Sequence, residues 1–97
     1  MPTYVALATY TQQGVQNIKE SPKRLDAFKD ALKKAKGELK SFHLTMGRYD
    51  IVLTYELPDD EAAAKVALSL AKLGNIRTET LRAFSEDEFR KIAGAVS

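Results

Sequence analysis

No cysteine occurs in the chain, which excludes a disulfide framework and a thiolate nucleophile. A single histidine, His43, leaves one chain unable to assemble a His/Cys zinc site. Tryptophan is missing too, and only 5 glycines and 3 prolines occur in 97 residues, so collagen-like and Pro/Gly-rich disordered compositions are ruled out. Neither sign of charge dominates. Fifteen Lys and Arg against 13 Asp and Glu leave +2, too weak a field to single out nucleic acid or an anionic membrane as partner. No window approaches the roughly 18 continuous apolar residues of a membrane span, and no charged leader precedes Pro2-Thr3-Tyr4. The expectation is a cytoplasmic protein without membrane or nucleic-acid partners. What is present is ordinary globular material, 44% hydrophobic and 29% charged, sufficient for one core and one domain over residues 1–97.

Periodicity organises that material. Thr3 to Thr11 alternates and is rich in β-branched and aromatic residues, predicting a first strand that stops at Gln12-Gln13-Gly14. Ser21-Pro22 supplies a helix start, Leu25, Phe28, Leu32 and Ala35 an amphipathic stripe, and Gly37 a stop, predicting a helix over 22–36. Glu38 to Met46 and Tyr49 to Leu57 read as a hairpin around Gly47-Arg48, the second strand apolar on both parities and therefore interior. Pro58-Asp59-Asp60 opens a second helix with the stripe Ala63, Val66, Ala67, Leu70 and Leu73, closed by Gly74. Asn75 to Phe84 is a mixed strand suited to a sheet edge. Ser85 to Glu88 is a capping box, with Phe84 and Phe89 as its hydrophobic staple, and starts a short last helix.

The order β-α-β-β-α-β is the split β-α-β arrangement: α+β, with four antiparallel strands and two helices on one face. Its other face is bare. Tyr4 or Val5, Ile51, Leu53 and Ile76 are expected near that face, more apolar surface than a soluble monomer tolerates, so a second copy of the chain should cover it. A homodimer, or a higher homo-oligomer, is the predicted assembly.

The stretches Thr45-Met46-Gly47-Arg48-Tyr49-Asp50-Ile51-Val52, Glu56-Leu57-Pro58-Asp59-Asp60 and Leu73 to Phe84 resemble the GYD-domain family, and Pro2-Thr3-Tyr4-Val5, Tyr10 to Gly14 and Ser21-Pro22-Lys23-Arg24 fit it as well. The family motif is met by Gly47, Tyr49 and Asp50, with Arg48 between. The resemblance implies a ferredoxin-like domain of the dimeric α+β-barrel type, from a bacterium or archaeon, and brings no catalytic assignment.

Site candidates follow from residue chemistry. Gly47 to Asp50 suits a tight turn; alternatively Tyr49 donates a hydrogen bond and Asp50 acts as base or orients a polar ligand. Alternation sends His43 to the open face, and reading Leu81 and Ala83 as helix-facing sends Thr78, Thr80 and Arg82 there too, a cluster fit for an anion or small polar metabolite or for the polar rim of a dimer interface. Tyr4, Tyr10, Tyr49 and Tyr55 line either the core or an aromatic pocket between sheet and helices, with Tyr10 a ligand candidate. A metal shared across a two-fold by His43 with Asp50 or Glu56 has no ligand-set spacing behind it, so neither metal nor cofactor is expected. Base stacking on the third strand fails, because Ile51 and Leu53 stand where aromatics are needed. Pro2, freed by removal of Met1, resembles the general base of tautomerases, but the rest of the chain does not. The reading is a homodimeric small-molecule-binding or assembly module. The alternative is a cofactor-independent enzyme, oxygenase-like or an isomerase, of the same barrel type, which requires His43, Tyr49, Asp50 or Arg82 to converge in one cavity.

Overall fold

A computed structural model describes residues 1–97 throughout. Its elements are β1 (Thr3–Tyr10), α1 (Gln12–Gln16), a 3-10 turn (Ile18–Glu20), α2 (Ser21–Lys34), β2 (Glu38–Leu44), β3 (Ile51–Glu56), α3 (Asp60–Lys72), β4 (Ile76–Ala83) and α4 (Glu86–Gly94). The strands form one antiparallel sheet in the order β2-β3-β1-β4, the α+β ferredoxin-like arrangement expected from the sequence. β3 is interior and β4 an edge, as their compositions require.

Register decides which side chains meet the helices. Tyr4, Ala6 and Ala8 of β1 lie opposite Tyr55, Leu53 and Ile51 of β3, and all six are buried. Phe28 and Leu32 of α2 and Ala63 and Val66 of α3 close over them, and Phe28 meets the Tyr55 ring edge-on at 5.5 Å. Directly paired residues share a face, so Ile76, Thr78, Thr80 and Arg82, opposite Tyr10, Ala8, Ala6 and Tyr4, also lie on the helix side. Two sequence expectations are thereby reversed. Tyr4, Ile51, Leu53 and Ile76 face inward, and Thr78, Thr80 and Arg82 do not face the open side. The open side carries Val5, Leu7, Val52 and Leu81 instead, with His43 paired to Val52.

Local chemistry explains the ends. Asp59 caps α3, its Oδ1 accepting the Ala62 N–H at 2.8 Å, and Gly74 leaves the helix at φ 81°. The expected capping box of α4 is present: Ser85 Oγ accepts the Glu88 N–H and Glu88 accepts the Ser85 N–H. That backbone bond holds the Glu88 carboxyl below its ordinary pKa. Glu20, rather than Ser21, stands at the cap position of α2: Ser21 already has helical dihedrals, φ −56° and ψ −41°, and its hydroxyl meets that of Tyr10. Nor does Gly37 take the left-handed conformation after α2; Lys36 does, at φ 66°. Gly37 is needed for closeness, since a Cβ there would collide with the Glu56 carbonyl. α1, where the sequence reads as a turn, is capped by Thr11, whose Oγ1 accepts the Gly14 N–H at 3.1 Å. α4 does not pack extensively on any other element of the chain, which spans 50 × 31 × 19 Å in all, and its apolar residues Phe89 and Ile92 remain 62% and 49% exposed. Phe84 is also exposed, so the expected staple does not bury either ring.

Candidate functional site

α2 and α3 do not pack extensively on one another. Between them, above the sheet, lies a cleft of about 610 Å³. Small side chains create it: Ala6 and Ala8 on the central strand form its floor, and Ala27 and Ala31 of α2, Ala35 just past its end and Ala62 of α3 form much of its walls. Phe28, Phe42, Ile51, Leu53 and Leu70 complete an apolar interior. Interiors of proteins are ordinarily close-packed, so a void of this size is a departure that these alanines bring about.

The polar groups sit at the ends. At one end the Tyr10 and Ser21 hydroxyls are 2.7 Å apart, and Arg24, one turn further along α2, lines the wall beside them with Asn75 and Thr78. An Arg24 Nη donates to the Asn17 carbonyl at 3.3 Å, and no carboxylate lies within ion-pair distance of the guanidinium. Asp59 and Glu61 stand at the opposite end, Glu61 with Lys65 3.9 Å away.

A latch closes the Tyr10 end. The Thr11 N–H donates to the Asn75 carbonyl at 3.1 Å, the Thr11 hydroxyl to the Gly74 carbonyl at 2.6 Å, and the Gln13 amide to the Leu73 carbonyl at 3.1 Å. Gly14 makes this approach possible, because a Cβ on it would overlap the Asn75 carbonyl.

The six residues selected from sequence do not converge. Tyr10 lines the cleft. Asp50 accepts the Tyr10 N–H at 2.9 Å while its own N–H donates to the Ala8 carbonyl at 2.9 Å, so it prolongs β1–β3 pairing and holds the hairpin loop against β1. Tyr49 reaches Glu79 Oε1 at 3.3 Å, with Arg48 5.7 Å from its ring centroid. His43 is exposed on edge strand β2. Arg82 lies 4.4 Å from the Phe84 ring centroid and 5.9 Å from that of Tyr4, and donates to the Ala83 carbonyl. Thr80 lies beside Tyr55. The enzyme reading needed His43, Tyr49, Asp50 or Arg82 in one cavity, and none of them lines the cleft.

Two buried phenols are perturbed. Burial, then the 2.6 Å bond to Asp60, pushes Tyr4 up to about 12; burial pushes Tyr55 up, with Thr80 opposing. Both serve the core. Sequence reasoning missed Arg24, Ser21 and the alanine floor. The available signal was the pair of alanines at core-facing positions of β1, where larger residues are normal, together with Ala27 and Ala31 on α2.

The model of the GYD domain matches residues 4–93. A Thermus thermophilus protein named as a glutamine synthetase and cystathionine beta-lyase binding protein is 31% identical over 84 residues, covering 86% of this chain and 88% of that one. A crystal structure of a Thermus thermophilus protein superposes with a TM-score of 0.53 at 26% identity, covering 88% of this chain and 95% of that chain.

Proposed function

This chain belongs to the GYD-domain family, and on that premise we propose that it is a homodimeric assembly module that binds a metabolic enzyme and performs no chemistry of its own. The observation that carries this reading is uncovered apolar surface. Twelve large hydrophobic side chains are exposed, as many as there are buried residues of any kind in the chain. They include Leu81 on the open sheet face, Leu44 and Met46 near the hairpin tip, and Phe84, Phe89, Ile92 and Val96 on and around α4. Surface of this kind marks interaction sites. The open face, with Val5, Leu7, Val52 and Leu81 framed by threonines, suits a second copy packed sheet to sheet. The apolar side of α4 then serves the enzyme partner. The name of the Thermus relative supports enzymes as the class of partner.

A cofactor-independent enzyme is the second reading, favoured by the cleft. Against it, the Ser21 hydroxyl is partnered by Tyr10 and not by a His or carboxylate that would activate it.

Sedimentation velocity tests the proposal, first on the chain alone at micromolar concentration and then with purified glutamine synthetase or cystathionine beta-lyase from the same source. Twice the chain mass, and co-sedimentation with at least one enzyme, are expected. Leu7→Asp should yield monomer. A monomeric wild type refutes the dimer, and free sedimentation beside both enzymes refutes the partner class.

A further inference from the structure

We propose that the cleft between α2 and α3 is a binding site for a medium-chain acyl carboxylate, with the tail along the alanine floor and the carboxylate at Arg24 and the Tyr10–Ser21 hydroxyl pair. This goes beyond enzyme binding and does not depend on it, since no residue of α4 lines the cleft and the open face given to the second copy is on the other side of the sheet.

Three observations converge. The first is volume: about 610 Å³ lies within the range of roughly 300–1,000 Å³ typical of small-molecule sites. Its interior of alanine, leucine, isoleucine and phenylalanine offers water few hydrogen-bond partners, so an apolar guest displaces that water at little cost. The second is shape. The lining runs from Tyr10 and Ile76 at one end to Tyr55 and Ala35 at the other, about six strand residues or roughly 20 Å, so an extended chain fits it better than a compact polar metabolite.

The third is polarity of the ends. Arg24 has five N–H donors, only one of which is given to the Asn17 carbonyl, and no counter-ion. Of the two hydroxyl hydrogens on Tyr10 and Ser21, one lies between the oxygens and the other is free to donate. Together they offer a carboxylate a charged fork and a hydroxyl donor, and charge-assisted bonds of this type are the strong ones. At the far end Asp59 and Glu61 outnumber Lys65, which pairs with Glu61, so an anion is favoured at the Arg24 end and the orientation of the chain follows. Asp50, which accepts the Tyr10 N–H, does not neutralise Arg24, and Lys65, the other cation on the lining, lies 3.9 Å from Glu61.

The test uses dodecanoate below its micelle concentration, titrated into the full chain by calorimetry, with dodecanol as the uncharged tail. Dodecanoate should bind at least tenfold more tightly than dodecanol. Arg24→Gln should remove that preference and leave dodecanol affinity unchanged, and Ala8→Leu should fill the floor and abolish both. Methyl NMR on the wild-type chain keeps the test decisive should Ala8→Leu unfold: dodecanoate must shift Ala6, Ala8, Ala31 and Ala62. No binding, equal affinities for the two tails, an unaffected Arg24→Gln variant, or shifts confined to Val5, Leu7, Val52 and Leu81 would each overturn the proposal.

Discussion

Gly14 sits inside a short helix, where alanine would ordinarily stabilise by about 0.5–1 kcal/mol. The structure reverses that sign. A Cβ at Gly14 would overlap the Asn75 carbonyl oxygen and press on the Tyr10 ring, so α1 must move off the turn that joins α3 to β4. Four hydrogen bonds cross this contact: from the Thr11 N–H to the Asn75 carbonyl, the Thr11 hydroxyl to Gly74, and the Gln13 amide to the Leu73 carbonyl and the Asn75 side chain. At about 0.5–1.5 kcal/mol net each, their loss costs about 2–6 kcal/mol. After the helical gain, Gly14→Ala should be destabilised by about 1–5 kcal/mol, a substantial part of the roughly 5–15 kcal/mol typical of a small domain. Urea unfolding followed by circular dichroism measures it, with an unchanged m-value showing that the unfolded state is not the cause. A Gly14→Ala protein as stable as wild type, or more so, would refute the latch.

Asp50→Ala should cost about 1–3 kcal/mol, because it leaves the half-buried Tyr10 N–H without its acceptor; thermal melts check this, and an unchanged midpoint would return Asp50 to the status of a free surface carboxylate. Lys36→Gly should stabilise by about 1 kcal/mol, since lysine at φ 66° is held in a conformation that glycine adopts freely; urea midpoints report it. Tyr4 has its folded pKa raised from 10.0 to about 12, so its contribution is complete below about pH 10 and disappears as pH rises towards 12. Stability should therefore fall across that window, and Tyr4→Phe should flatten the fall without abolishing it, because Tyr55 is raised as well.

Where a residue's chemistry admits one solution, the sequence can be read. Asp59, Gly74 and the Ser85–Glu88 pair sit where caps and a left-handed exit demand them, and β3 is interior because it is apolar on both parities. β4 misleads for a physical reason. Leu81 and Ala83 suggest an inward side only if the outer face is polar, but that face carries Val5, Leu7 and Val52, so apolar character cannot tell the two sides of the edge strand apart. Gly14 and Gly37 look like breakers by propensity, whereas each is required by a close backbone neighbour distant in sequence. Arg24 is hidden for a similar reason: on a helix rich in lysine it reads as one more solvated charge, and only the gap between α2 and α3 distinguishes it.

The strand order also governs how the chain reaches its fold. β1 is flanked by β3 and β4, and the register that joins Thr3 to Ala83 connects segments at nearly opposite ends of the sequence. During synthesis β1 therefore waits, one edge unpaired, until β4 has emerged. Closing so long a loop slows folding far more than it lowers the final stability. A β1–β3–β2 sheet without β4 would leave that edge of β1 open to mispairing, so β4 is the strand that protects the centre of the sheet.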